Sequence, residues 1–94
     1  MSVGKSELPV PPTLDQAERA MEMARVWIVD GHQHVVLSPN LWRDPASWGL
    51  LLVDIARHVA SAYEGQMQQD RATVLQRIRE AFDAEWSHPT GKDD

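Results

Sequence analysis

Ala24-Arg25-Val26-Trp27-Ile28-Val29-Asp30-Gly31-His32-Gln33-His34-Val35-Val36-Leu37 is the stretch whose reading decides the fold. Two runs rich in β-branched and apolar residues flank Asp30-Gly31, a pair suited to a two-residue type I′ turn because both positions need positive φ. With that turn, Val29 faces His32, Trp27 faces His34 and Arg25 faces Val36 on one side of a hairpin. The other side carries Ala24, Val26, Ile28, Gln33, Val35 and Leu37 and is the expected core face. A lone hairpin is marginal in water, so this one must lean on helices or on another sheet.

The flanks supply helices. Residues 1–12 read as a flexible lead-in that ends in Pro9-Val10-Pro11-Pro12, a composition that favours a polyproline II path. A ligand for a proline-recognising partner is the functional reading of that run; a stiff entry to the first helix is preferred. Thr13 with Gln16 forms a capping-box pattern, and Leu14, Ala17, Met21 and Ala24 share a stripe, so a short helix is expected over 14–22. Ser38-Pro39-Asn40-Leu41-Trp42-Arg43 is a connector, since Pro39 cannot continue a central strand. Asp44-Pro45 places a cap and an entry proline before a helix over 45–64. Trp48, Leu51, Leu52, Ile55, Val59, Ala62 and Tyr63 form its core face, while Leu50 and Val53 lie opposite. Gly65-Gln66-Met67-Gln68-Gln69 interrupts the period, and Asp70 caps a last helix over 71–86 whose stripe is Val74, Leu75, Ile78, Phe82 and Trp86. Residues 87–94 read as a flexible polar tail. The expectation is one globular domain over 13–86, an α+β fold with the β-hairpin packed on helices in the order α-β-β-α-α.

Composition narrows the function classes. The 94 residues contain no Cys, which removes disulfides, thiol nucleophiles and thiolate metal sites. A formal charge of −5 argues against a phosphate-backbone binder, and Arg71, Arg77 and Arg79 are answered by Asp70, Glu80, Asp83 and Glu85. No nucleic-acid role is expected. Met1–Glu7 carries no signal-peptide pattern and the apolar run Trp48–Val53 is too short to span a bilayer, so a cytoplasmic protein without membrane contact is expected. Phosphate-loop, dinucleotide-turn, HExxH and GxSxG motifs are absent.

Val26-Trp27-Ile28-Val29-Asp30-Gly31-His32-Gln33-His34-Val35, together with Trp48-Gly49-Leu50-Leu51-Leu52-Val53-Asp54-Ile55-Ala56-Arg57-His58-Val59-Ala60, resembles a small bacterial domain family of unknown function. The resemblance covers residues 24–64. It implies no activity, cofactor or catalytic residue.

Two constellations could carry chemistry. His32 and His34 share one strand face, and such a pair can give two nitrogens to Zn²⁺ or a similar ion; a third ligand would have to come from Asp54, His58 or a second subunit. The plainer reading packs His34 across from Trp27 and leaves His32 exposed beside the turn. Asp54 and His58 stand at i,i+4, where a carboxylate can accept from the imidazole and raise its basicity, half of a general-base arrangement. Ser61 lies on the same side without a sign of activation, and a polar helix flank or subunit contact is the plainer reading. No cofactor is expected, and whether the chain is an enzyme stays open.

Four tryptophans, Trp27, Trp42, Trp48 and Trp86, are many for this length. Trp48 and Trp86 lie on helix stripes and are expected in the core, whereas Trp42 belongs to no periodic element and suits an exposed anchor or a lid. Apolar residues on both hairpin faces and nearly all round the first half of helix 45–64 point to a homodimer. The expected function is therefore a small interaction or binding module that homodimerises, with Trp27, Trp42, Leu50, Val53, Asp54 and His58 as its candidate surface. A histidine-centred metal-binding protein or enzyme using His32, His34, Asp54 and His58 is the alternative.

Overall fold

Asp30 and Gly31 turn the chain with φ of 50° and 84° in the computed structural model, which describes residues 6–90. Strands β1 (Ala24–Val29) and β2 (His32–Leu37) pair antiparallel around them, with Val29 opposite His32, Trp27 opposite His34 and Ala24 opposite Leu37. This is the register that the side-chain alternation predicts. The Ser38 N–H donates to the Met23 carbonyl at 2.9 Å and carries the ladder one step further.

Two long helices follow, α1 (Ala46–Met67) and α2 (Arg71–Ser87), so the fold is α+β with a two-stranded hairpin. Asp44 Oδ1 accepts from the Ala46 N–H at 3.0 Å, and Pro45 already has helical dihedrals, so the Asp-Pro pair starts α1 as expected. The helix passes through Gly65 and ends one turn later than expected, at Gln68, which takes φ 56° and ψ 36°. Its backbone there is left-handed, and the Gln68 N–H reaches back to the Tyr63 carbonyl. Asp70 then caps α2 by accepting from the Thr73 N–H at 3.0 Å and from its hydroxyl at 2.9 Å.

The helix expected over 14–22 is only a 3₁₀ turn, Pro12–Gln16. The Thr13–Gln16 capping pattern is unused, and Ala17 leaves the turn in an extended conformation. A helix this short is unstable without tertiary support, and Leu14 and Met21 find none because both are exposed. Ala24, counted at the end of that stripe, belongs to β1 instead.

The chain divides into two compact units, one up to Leu41 and one from Trp42. Within the first, the expected core face of the hairpin is open: Val26, Ile28, Val35 and Leu37 are exposed, Ile28 by 74%. Trp27, on the opposite face, is the half-buried strand residue beside Ala24. Two strands alone have no second layer of their own to bury a face against. Within the second unit, α1 and α2 join through only three residues and pack on each other. Ala60 on α1 and Val74 on α2 are the buried side chains, and Leu75 and Ile78 are half-buried. Residues 1–5 of the expected lead-in and 91–94 of the expected tail lie outside the described residues.

Candidate functional site

Strand alternation places His32 and His34 on one face of β2, across from Val29 and Trp27, and both are exposed. Among the described residues no group of three or more His, Asp or Glu is arranged to hold a metal ion. The two imidazoles thus share a face without a third ligand gathered beside them.

On α1 the Asp54–His58 pair differs from its expected form. His58 Nδ1 lies 2.8 Å from the Asp54 backbone carbonyl, whereas the Asp54 carboxylate stands 3.6 Å away. An Nδ1–H donated to that carbonyl leaves Nε2 as the free lone pair. Both side chains are exposed. Ser61 instead accepts a hydrogen bond from Arg71 Nε at 3.1 Å, a contact that ties the start of α2 to α1.

A third constellation has only part of its signal in the sequence. The Arg25 guanidinium on β1 meets Glu22 at 2.7 Å and Glu7 at 3.3 Å. The hydrogen bond and charge of Glu22 raise the Arg25 pKa above its ordinary value; Glu7 adds to the effect and partial desolvation opposes it. Glu22 stands three residues before Arg25, a spacing that could have been noticed, but Glu7 has no local relation to it. A groove of about 520 Å³ runs between the lead-in and β1, lined by Glu7, Pro9, Pro11, Arg25, Trp27 and Ile28 among others. The guanidinium beside it is already paired with two carboxylates, so it offers little to an anionic ligand.

Of the tryptophans, Trp86 departs from its expected place, while Trp42 takes one of the two places expected for it. Trp42 packs edge to face on Trp48 with ring centroids 5.1 Å apart, and both are half-buried, so Trp42 is a lid on the start of α1 rather than an exposed anchor. Trp86, expected in the core, is 77% exposed and stacks on Phe82 at 5.6 Å. It lies near the end of α2, beyond the part that α1 covers.

Helical periodicity puts Leu50, Val53, Asp54 and His58 on one side of α1, with Leu50 75% exposed. The opposite side holds Leu52, Ile55, Val59 and Tyr63, which are exposed as well. The cover that α2 gives falls between these two sides, on Ala56 and Ala60. Beyond the half-buried Trp48 and Leu51, the expected core face of α1 is therefore open within its own unit, because α2 sits on the small residues beside it.

No described helix is long and apolar enough to cross a membrane. The family model of a domain of unknown function, DUF5076, matches residues 7–90. Among solved structures, one described as "a putative pyruvate dehydrogenase from the photosynthetic bacterium Rhodopseudomonas palustrus CGA009" is 38% identical. The likeness covers 99% of this chain and 95% of that one, with a TM-score of 0.73. None of the curated proteins compared with the chain matches it.

Proposed function

The chain belongs to the DUF5076 family, and for this member of it we propose a small interaction module that homodimerises in the cytoplasm. One observation carries the reading: each of the two compact units has an exposed apolar face. Val26, Ile28, Val35 and Leu37 form one face of the hairpin, and Leu52, Ile55, Val59 and Tyr63 lie on one side of α1. Exposed apolar surface of that extent marks an interaction site, and pairing with an identical copy across a two-fold axis is the commonest solution.

The Rhodopseudomonas relative's description names a dehydrogenase of pyruvate, which would make an enzyme the other reading. The interaction reading is preferred because the His, Asp and Glu side chains described here are spread along exposed surfaces instead of converging on a cleft.

Sedimentation equilibrium at micromolar concentration tests the proposal. The expected mass is twice the 10.6 kDa of the chain. A constant mass of one chain from nanomolar to high micromolar concentration would overturn it.

A further inference from the structure

We propose that residues 6–11 form a strap along the outer edge of β1, latched by the Glu7 carboxylate on the Arg25 guanidinium and released when that pair is broken. The strap, the latch and β1 all lie in the first compact unit.

The register fixes which main-chain groups the strap runs beside. Val29 and His32 flank a two-residue turn and exchange both main-chain hydrogen bonds, so bonded pairs recur at Trp27–His34 and Arg25–Val36. The hydrogen bond from Ser38 to Met23 keeps that phase. Ala24, Val26 and Ile28 therefore turn their N–H and C=O groups away from β2, toward the outer edge of β1. The groove of about 520 Å³ is lined by residues 24–28 on one side and 6–11 on the other, and by no residue of β2. It takes in both side-chain faces of β1, Arg25 and Trp27 together with Val26 and Ile28. A groove over one face of the hairpin would take in β2 as well, so this one follows the edge.

Little else holds the lead-in there. Among the described residues it makes no main-chain hydrogen bond to β1, and Pro9 and Pro11 have no N–H with which to make one. Leu8 and Val10 are 88% and 66% exposed, so burial does not seat it. One end is fixed by the 3₁₀ turn, where the Leu14 N–H donates to the Pro11 carbonyl at 3.0 Å. At the other end Glu7 Oε2 lies 3.3 Å from Arg25 Nη1. Glu22 accepts from Nε and Nη2 of the same guanidinium at 3.2 and 2.7 Å, which leaves Nη1 for Glu7. Two carboxylates thus share one guanidinium without competing for a nitrogen.

An exposed ion pair holds a segment weakly and is screened by salt, so a strap held this way is releasable. Closed, it sets prolines and a charge beside an unpaired strand edge, a common guard against pairing with another strand. Open, it leaves the groove without one of its walls.

A nitroxide on Leu8→Cys reads the strap in the full chain, because the natural chain has no Cys and position 8 is exposed. In low salt the label should broaden the amide resonances of Ala24, Val26 and Ile28. Adding Glu7→Gln should weaken that broadening about twofold or more, and about 0.5 M NaCl should do the same with Glu7 in place. Glu7→Asp, which keeps the charge, should retain most of it. An equal mixture of spin-labelled chain and isotope-labelled natural chain should show none, since strap and edge belong to one molecule. Lack of broadening at β1 in low salt, or its appearance in the mixture, would overturn the strap. Broadening that survives either Glu7→Gln or salt would overturn the latch, and the salt arm reads it without any change at position 7.

Discussion

The indole of Trp42 meets that of Trp48 edge to face, its centroid 5.1 Å away and its plane at 79°. Trp42 stands outside any periodic element, yet this contact closes the first turn of α1 from above while Asp44 caps it from the backbone side. An edge-to-face pair adds about 0.5–1.5 kcal/mol to the area the rings bury. Trp42→Ala should therefore lower the stability of the helical unit by roughly 1–3 kcal/mol, and Trp42→Phe should recover most of the loss. Urea unfolding followed by far-UV circular dichroism measures it. An unchanged midpoint for Trp42→Ala would show that the lid contributes nothing.

Gly31 holds φ of 84° at the second turn position, and no atom lies within 4 Å of where its Cβ would be. Gly31→Val thus meets backbone strain alone and should destabilise the hairpin by roughly 1–3 kcal/mol. Gly31→Asn, which tolerates a left-handed backbone far better, should cost clearly less. Equal midpoints for the two variants would contradict the turn.

At the helix junction Asp70 satisfies the Thr73 N–H and hydroxyl together. Removing the acceptor in Asp70→Ala should cost about 1 kcal/mol, the usual loss for an N-cap, with Asp70→Asn retaining most of it. Thermal unfolding at neutral pH is the measurement.

Two residues earlier, Gln68 is left-handed where glycine is commonest. Relief of that strain is worth about 1–2 kcal/mol, partly offset by the greater freedom of glycine in the unfolded chain. Gln68→Gly should raise stability by roughly 0.5–1 kcal/mol. A fall in the melting temperature would mean that the Gln68 side chain makes a contact of its own.

His32 and His34 are exposed on β2, and among the described residues no third ligand is gathered beside them. Replacing both with Ala should leave stability within about 0.5 kcal/mol, as for ordinary surface positions. Zinc titration of the wild type by calorimetry should detect no stoichiometric uptake. Uptake that weakens as pH falls through about 6.5 would instead assign the site to the two imidazoles.

The two ends of this molecule differ in how far the sequence speaks for them. Asp30-Gly31, Asp44-Pro45 and Asp70 act within four residues of themselves, through backbone dihedrals and single hydrogen bonds. The turn, the strand register, the start of α1 and the start of α2 could therefore be read before any tertiary contact was known. Periodicity likewise named Leu52, Ile55 and Val59 as one apolar face. It could not say what the face meets, because the same stripe serves a core or a partner. Tertiary structure decided that α2 lies on Ala56 and Ala60, whose small side chains let two backbones approach, and that Trp86 stays in water. It also joined Glu7 to Arg25 across eighteen residues, and it left the Thr13–Gln16 cap unused for want of anything to pack on. Local geometry was determined by the residues themselves, whereas burial belonged to pairs of surfaces brought together from distant parts of the chain.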